Sequence, residues 1–250
     1  MSADGQYLKV SVWRSGASDS NTTDGHFQDF KVPANQHQTV LDVVSWIQQN
    51  EDPTLSYRFA CRVGMCGSCA MMVNGKPRWT CRTHVKKVLV DGFMRIEPLR
   101  NLPVIKDLAT DMDVFFDKWI AAEGVFHPTK TRHDPFAPIK PDNVARVEAN
   151  KAVECINCAV CFAACDVVAN NPDYLGPAAL NRSWSLVNDE RDGAQATRLA
   201  AISQSGGCHN CHSQQGCTNF CPNELNPTAS IAGLKRKTFS AFFKRDDHNA

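Results

Sequence analysis

The spacing of the cysteines constrains this chain more than any other feature of its sequence. Twelve cysteines in 250 residues fall into two separated groups. The first group follows C-x4-C-x2-C with a distant fourth member, and consists of Cys61, Cys66, Cys69 and Cys81. This spacing is typical of a plant-type [2Fe-2S] centre, in which a loop wraps the cluster and a neighbouring element supplies the last ligand. Gly64 and Gly67 would let backbone N–H groups approach the anionic cluster.

A four-cysteine zinc site is the alternative for this group. Zinc sites usually pair two short knuckles, whereas here a four-residue gap and a lone distant cysteine follow one another. The pattern therefore favours an iron–sulfur cluster over zinc.

The second group is the string CINCAVCFAAC, which follows C-x2-C-x2-C-x3-C, the run of bacterial ferredoxins. In that run three cysteines hold one cluster and the fourth belongs to another, so a second run is expected. It begins at Cys211 and ends at Cys221-Pro222, with Gln214 in place of its second cysteine. Crosswise pairing assigns a [4Fe-4S] cluster to Cys155, Cys158, Cys161 and Cys221. The same pairing leaves Cys165, Cys211 and Cys217.

Three thiolates predict a [3Fe-4S] centre, a cubane that lacks one corner, because Gln214 cannot replace the missing thiolate. The twelfth cysteine, Cys208, could be an alternative ligand, but the crosswise register leaves it spare and we expect it to be a non-ligand. Asp166 stands where bacterial ferredoxins have proline after the fourth cysteine of the run. We expect its carboxylate to face the surface.

The net charge and the distribution of apolar residues indicate the chain's location and exclude some partners. A net charge of +1 gives no case for nucleic-acid binding. The first residues lack the basic and apolar segments of a signal peptide, and no run of about 18 apolar residues occurs. These features predict a chain on the cytosolic side that does not itself span a membrane. Thiols stay reduced there, so the cysteines indicate metal binding rather than disulfides.

Hydrophobic patterning predicts an α+β first part. Tyr7–Trp13 and His26–Val32 alternate as strands do, and Thr39–Gln49 has helical apolar spacing at Leu41, Val44 and Ile47. Asn74-Gly75 predicts a tight hairpin turn. Its expected strands, and a strand that closes the sheet, are Ala70–Val73, Arg78–Cys81 and Arg95–Leu99.

The second part is predicted to be helical. Val104–Ala122 places Leu108, Met112, Phe115 and Trp119 on one helical stripe, and a proline-rich connector follows between Glu123 and Asp142. Further helices are expected at Gly176–Val187, at Ala194–Ile202 and from Pro227 onward, where Asn226 can cap the first turn.

With these motifs the chain resembles the iron–sulfur subunit of the succinate dehydrogenase and fumarate reductase family over nearly its whole length. Further strings that carry the resemblance are SYRFACRVGMCGSCAMMVNGKPRWTC, NLPVIKDLATDM, NPDYLGPAAL and CPNELNP. CINC and LGPAAL look more like the fumarate-reductase branch. The mitochondrial-type tryptophan pair near the quinone is replaced here by DVVANNPDY. The implied fold is a plant-type [2Fe-2S] ferredoxin (β-grasp) domain, residues 1–104, followed by a mostly α-helical bacterial-type ferredoxin domain, residues 105–250.

The resemblance implies an electron relay. A flavoprotein subunit with bound FAD would exchange hydride with a dicarboxylate, and single electrons would pass through the [2Fe-2S], [4Fe-4S] and [3Fe-4S] centres to a quinone. The partners would be that flavoprotein and one or more membrane anchor subunits. The chain would therefore lie at the cytoplasmic side of the bacterial inner membrane, as a peripheral subunit. No catalytic acid, base or nucleophile is expected in it.

The resemblance also singles out two residues toward the quinone. His212 follows a three-iron ligand, and Lys235 lies at the family's basic position near the quinone carbonyls. In each case a simpler role is possible: His212 could bond a backbone carbonyl, and Lys235 belongs to the basic run Lys235–Lys237. The helix Pro227–Phe243 combines this run with Leu234 and three phenylalanines, a pattern that fits either docking or core packing.

Two further functions fit the cysteine pattern. One is a freestanding soluble multi-cluster ferredoxin-like shuttle without a fixed partner. The other is a soluble fumarate reductase that uses thiols in place of quinone, although only 29 residues follow Cys221. None of these patterns distinguishes succinate oxidation from fumarate reduction.

Overall fold

The computed structural model describes residues 7–16, 25–136 and 138–246, with side chains described as far as residue 241. The chain forms two compact units. The first runs to Met112 and includes Ile156–Ala164. The second contains Asp113–Cys155 and the chain from Cys165 onward.

A five-stranded mixed sheet forms the first unit. Its order is β2-β1-β5-β3-β4, and β1 pairs with β5 in parallel whereas the other neighbours are antiparallel. The predicted strands are confirmed, with bounds shifted by a few residues. The strands are β1 (Tyr7–Ser15), β2 (Gly25–Pro33), β3 (Ala70–Val73), β4 (Lys76–Trp79) and β5 (Phe93–Glu97).

The predicted Asn74-Gly75 turn is confirmed. Both residues have positive φ, 48° and 74°, and Val73 pairs with Lys76 across a two-residue loop. β4 ends at Trp79, earlier than the predicted Cys81, because residues 80–82 form a 3-10 turn. This turn carries Cys81 away from the strand.

Helix α1 (Val40–Asn50) packs on the sheet and confirms the predicted helix. Thr39 and Asp42 form a reciprocal capping box: Thr39 Oγ1 accepts from the Asp42 N–H, and the Asp42 carboxylate accepts from the Thr39 N–H. The predicted apolar stripe is buried, and Val44 and Ile47 join the core that the strands form.

The predicted helix starts at Val104, but the observed helix starts nine residues later, at Asp113. A small antiparallel pair, β6 (Val104–Lys106) and β7 (Ala109–Thr110), precedes helix α2 (Asp113–Ala121). The turn between the strands is fixed by Asp107, whose buried carboxylate accepts from Arg14 Nε at 3.0 Å and from the backbone N–H of Ser15 and of Ser56. These long-range bonds hold the segment out of the helix.

The second unit is helical among its described residues, as predicted. The helices at Pro177–Val187, Gln195–Ala201 and Pro227–Asp246 confirm predicted ones, and Asn226 Oδ1 caps the last by accepting from Ala229 N at 2.9 Å. A helix at Val144–Val153 was not predicted. In chain order the remaining helices are α3 (Val144–Val153), α4 (Val160–Ala163, which belongs to the first unit), α5 (Asp166–Asn170), α6 (Pro177–Val187), α7 (Gln195–Ala201), α8 (Gly216–Asn219) and α9 (Pro227–Asp246).

Helix α6 is the centre of the second unit, and α3, α7 and α9 pack on it or on each other. At Gly233 of α9 an added Cβ would lie 2.4 Å from the Trp184 ring of α6, so glycine permits the close approach of these helices. Of the predicted amphipathic side chains of α9, Leu234 is buried and Phe239 is 63% exposed, while Phe242 and Phe243 lie outside the described side chains. No helix in the described ranges is long and apolar enough to cross a bilayer.

Candidate functional site

The first cysteine group lies in a loop and a turn of the first unit. Cys61, Cys66 and Cys69 belong to the loop between α1 and β3, and Cys81 comes from the 3-10 turn after β4. Cys69 and Cys81 are buried, and Cys66 is exposed. The Cys81 N–H lies 3.5 Å from Cys69 Sγ, and the Cys61 N–H lies 3.5 Å from Cys66 Sγ. The structure therefore brings Cys61 near Cys66, and Cys81 near Cys69.

Backbone N–H groups of the loop point at these sulfur atoms. Cys61 Sγ accepts from Met65 N at 3.2 Å and from Cys66 N at 3.3 Å. Arg62, Gly64 and Gly67 have positive φ, which turns successive N–H groups inward. Backbone N–H groups thus approach the Cys61 sulfur beside Gly64, and such donors stabilise an anionic sulfur cluster.

The donor set suits iron. The Ser68 hydroxyl bonds Cys66 Sγ at 3.3 Å, and this bond lowers the pKa of the Cys66 thiol to about 6. Burial raises the pKa of Cys81 to about 12. A buried thiolate is costly unless a cation compensates it. Four soft thiolate ligands with N–H donors around them fit a [2Fe-2S] cluster. Among the described residues, no group of three or more His, Cys, Asp or Glu side chains is placed so that it could hold a single metal ion.

The two bacterial-type runs, which lie 56 positions apart in the sequence, have the same local backbone conformation. Positive φ occurs at Asn157 and Ala159 in the first run and at Ser213 and Gln215 in the second, each time just before a four-residue helix, α4 or α8. Gln214, between two of these residues, is the counterpart of Cys158. The replacement therefore changes the side chain in a backbone that is otherwise shaped like a cluster loop.

In the second unit, the tyrosine side chain at Tyr174 interacts with three predicted ligands. Tyr174 is 1% exposed, interacts with Cys211, and lies within electrostatic range of Cys165 and Cys217. Burial, and then these neighbours, raises its pKa. Burial also raises the pKa of Cys165 and of Cys217. The structure thus gathers three of the cysteines around one buried side chain.

The four cysteines assigned to the [4Fe-4S] cluster are distributed over both units. Cys158 and Cys161 belong to the first, where an added Cβ at Gly67 would lie 2.6 Å from Cys158 Cβ. Cys155 and Cys221 belong to the second. There, Asn223 Nδ2, two residues after Cys221, donates to the Glu154 carbonyl at 2.7 Å.

The residues expected near the quinone lie beside Cys211. Lys235 Nζ donates to the Cys211 carbonyl at 2.7 Å and is half-buried, and His212 is exposed. Cys208 is fully buried, its Sγ 3.8 Å from Thr238 Oγ1. Asp166 is exposed at the start of α5, as predicted.

Sequence reasoning missed several side chains at these sulfurs. They are Ser68 at Cys66, Tyr174 at Cys211, and Thr228, whose Oγ1 lies 3.4 Å from Cys217 Sγ. Ser68, between two cysteines, was visible as a donor in the sequence. The tyrosine lies 37 positions from Cys211, so no local signal could reveal it.

Comparison with known proteins agrees with this arrangement. A family model described as a 2Fe-2S iron-sulfur cluster binding domain matches residues 9–117, and one described as a 4Fe-4S dicluster domain matches residues 154–226. The fumarate reductase iron–sulfur subunit of Mycobacterium tuberculosis is 36% identical, over 84% of each chain. The succinate dehydrogenase iron–sulfur subunit of Paracoccus denitrificans is 36% identical, over 78% of this chain and 74% of the relative. A chain of the Mycobacterium smegmatis Sdh1 complex has a TM-score of 0.81 and 26% identity, covering 95% of this chain and 97% of that one.

Proposed function

The chain belongs to the iron–sulfur subunits of the succinate dehydrogenase and fumarate reductase family, and from this premise we propose that it relays single electrons between an FAD-containing flavoprotein subunit and a membrane quinone. It is a subunit of an oxidoreductase complex, and it carries a 2Fe-2S domain and a 4Fe-4S dicluster domain. The clusters, when bound, supply one-electron transfer. The chain's own residues hold them and set their surroundings.

The proposed set is one [2Fe-2S], one [4Fe-4S] and one [3Fe-4S] cluster. The observation that carries the three-iron assignment is the local match of the two cysteine runs, in which exposed Gln214 takes the place of Cys158. The proposed ligands are Cys61, Cys66, Cys69 and Cys81 for [2Fe-2S]; Cys155, Cys158, Cys161 and Cys221 for [4Fe-4S]; and Cys165, Cys211 and Cys217 for [3Fe-4S]. We assign residues 1–104 to the ferredoxin-like first domain and 105–250 to the second.

The quinone is proposed to bind at the three-iron end, against membrane anchor subunits on the cytoplasmic side of the membrane. Two basic residues support this end: Lys235, bonded to the Cys211 carbonyl, and exposed His212. A cation or hydrogen-bond donor there would stabilise the charge that a quinone gains on reduction. Cys208, buried against Thr238, is proposed to be a non-ligand.

Electron paramagnetic resonance (EPR) during a redox titration of the purified complex tests this proposal. We expect an oxidised-state [3Fe-4S] signal that is lost on reduction, a [2Fe-2S] signal that appears, and a flavoprotein that copurifies. Zinc without labile sulfide would refute the cluster assignment. A chain that purifies with all three clusters but without a flavoprotein would indicate a soluble shuttle instead.

Substitution of Gln214 tests the three-iron centre. Gln214 has no positive φ, so cysteine fits its backbone, and we expect Gln214→Cys to convert the centre to a four-iron cluster with the gain of one iron atom. Gln214→Ala is the matched control and should keep the three-iron signal. Retention of the three-iron signal in Gln214→Cys would contradict the register.

A further inference from the structure

Two hydroxyl groups lie near sulfur atoms of the proposed three-iron site. One is the hydroxyl of Tyr174, a buried side chain that interacts with Cys211 and lies within electrostatic range of Cys165 and Cys217. The other is Thr228 Oγ1, which lies 3.4 Å from Cys217 Sγ, within the range of a hydrogen bond to sulfur. Each sits on a different element from the cysteine it contacts, Tyr174 in the loop before α6 and Thr228 in the first turn of α9.

The backbone fixes Tyr174 on both sides. The Tyr174 N–H donates to the Asn171 carbonyl at 3.1 Å, and the next residue, Leu175, donates to the Gly206 carbonyl at 2.8 Å. The Tyr174 carbonyl accepts from Lys118 Nζ of α2 at 2.7 Å. The side chain is 1% exposed. A tyrosine held in this way presents its hydroxyl with little freedom to turn elsewhere.

Thr228 belongs to a short chain of hydroxyl groups. Thr218 Oγ1 accepts from the Thr228 N–H at 3.3 Å and lies 2.9 Å from Thr228 Oγ1, to which it can donate. A cysteine sulfur bound to iron carries no proton, so in the contact with Cys217 the oxygen of Thr228 must donate. Thr228 therefore donates to the Cys217 sulfur, while the single hydroxyl proton of Thr218 has two acceptors within reach, Thr228 Oγ1 at 2.9 Å and Asn226 Oδ1 at 3.1 Å.

The other bacterial-type run has no such hydroxyls at matching positions. The counterparts of Thr218 and Thr228, 56 positions earlier, are Phe162 and Pro172. Phe162 is 1% exposed. The two runs share their backbone shape but differ in the polarity around the third cysteine, so the threonines are specific to the Cys211 run.

We propose that the hydroxyls of Tyr174 and Thr228 donate hydrogen bonds to the sulfur atoms of Cys211 and Cys217 and thereby raise the reduction potential of the cluster that these cysteines hold. The inference rests on the proposed cluster assignment. Reduction adds one electron, and hence one negative charge, to the cluster and its thiolates. A donor to sulfur stabilises the more negative state more strongly, and each hydroxyl keeps its proton. Both residues are positioning residues, because they act through the ligands.

The test is an EPR-monitored redox titration of the purified complex with Tyr174→Phe, Thr228→Val and the double variant. We expect each single change to lower the reduced-to-oxidised ratio, at the wild-type midpoint potential, about fivefold, which corresponds to a hydrogen bond that is stronger by roughly 1 kcal/mol in the reduced than in the oxidised cluster. For a one-electron couple this is a shift of about 40 mV to lower potential. The shift in the double variant should be about the sum of the two.

Matched controls separate a lost donor from a disturbed structure. Thr228→Ser keeps the hydroxyl and should restore the wild-type potential. Tyr57→Phe removes a hydroxyl that bonds Ser45 Oγ at 3.0 Å, and should leave this centre unchanged. The potential of the [2Fe-2S] centre in the Tyr174 and Thr228 variants should not change. Unchanged potentials in Tyr174→Phe and Thr228→Val, with full cluster content, would overturn the proposal, as would equal shifts in Thr228→Ser and Thr228→Val.

A second measurement does not depend on how the variants fold. In wild type, electron–nuclear double resonance on the oxidised centre should show proton couplings from the two hydroxyls in H₂O and lose them after exchange into D₂O. If wild type in H₂O shows no such couplings, the inference is also overturned. If wild type shows a four-iron centre at these cysteines, the three-iron assignment fails. The reduction potentials of that centre in the variants would still test whether the two hydroxyls donate hydrogen bonds to the cysteine sulfurs.

Discussion

Gly67→Ala should destabilise the protein more than a glycine change in a comparable backbone conformation elsewhere. Gly67 has φ +70°, and an added Cβ would lie 2.6 Å from Cys158 Cβ and 2.8 Å from Cys158 Cα. The positive φ alone costs alanine about 1–2 kcal/mol. These distances are about 1 Å shorter than the usual separation of non-bonded carbon atoms. Overpacking of this kind adds about 1–3 kcal/mol, so the expected loss is about 2–5 kcal/mol.

Gly92→Ala is the matched control. Gly92 has φ +75°, but no atom lies within 4 Å of an added Cβ, so only the cost of the positive φ remains. Thermal unfolding of the holoprotein, followed by circular dichroism, should show a decrease in melting temperature at least twice as large for Gly67→Ala as for Gly92→Ala. Because the overlap falls on a proposed ligand of the [4Fe-4S] cluster, iron and sulfide content should also decrease. Equal melting temperatures and full clusters in both variants would refute the contact between Gly67 and Cys158.

Three other substitutions probe the first unit. Ser68→Ala removes the 3.3 Å hydrogen bond to Cys66 Sγ. Because such a bond is expected to be stronger by roughly 1 kcal/mol in the reduced cluster, the reduced-to-oxidised ratio of the [2Fe-2S] centre, measured at the wild-type midpoint by EPR titration, should fall about fivefold; an unchanged midpoint would contradict this. Asp107→Asn exchanges a carboxylate oxygen for a donor in a site lined by N–H groups, among them Arg14 Nε, and should lower the free energy of unfolding by about 3 kcal/mol in chemical denaturation; a loss below about 1 kcal/mol would count against the buried network. Asp52 has its pKa lowered from 3.8 to about 2 by hydrogen bonds from Thr54 and Arg14, so its stabilisation is complete above pH 3.8 and is lost as the pH falls through 2. The difference in melting temperature between wild type and Asp52→Asn should therefore decrease as the pH falls from about 4 to about 2, and a difference that stays constant over this range would contradict the lowered pKa.

The sequence predicted best where the local backbone is set by a few residues. Asn74-Gly75 predicted its hairpin because both residues accept positive φ, and the structure has both there. The spacing of the cysteines predicted two kinds of cluster domain, which the matching family models confirm. A cluster loop must turn its cysteines toward one centre within a few residues, so residues that are adjacent in the sequence determine its conformation.

The prediction failed where distant contacts decide the conformation. Leu108 and Phe115 fall on a helical stripe by spacing, yet Leu108 lies in the turn between β6 and β7. Asp107 has φ +49° and is held by groups 51 to 93 positions away. Periodicity cannot register such bonds. Helix α3 was missed for another reason: its buried side chains are alanines, Ala149 and Ala152, which give little apolar signal beside its charged residues.

In the proposed assignment, the two bacterial-type runs separate the residue that sets the number of iron atoms from the residues that set the reduction potential. Their backbones match, so the number of thiolates depends on one side chain, cysteine at 158 and glutamine at 214. The hydroxyls near Cys217 come from α8 and from the first turn of α9, outside the cysteine pattern. Change at one position can therefore alter the cluster type without removing the donors, and loss of a donor can alter the potential without removing a ligand. In the proposed relay, this arrangement would allow the potential of the Cys211 and Cys217 centre to be adjusted without a change in the fold that holds it.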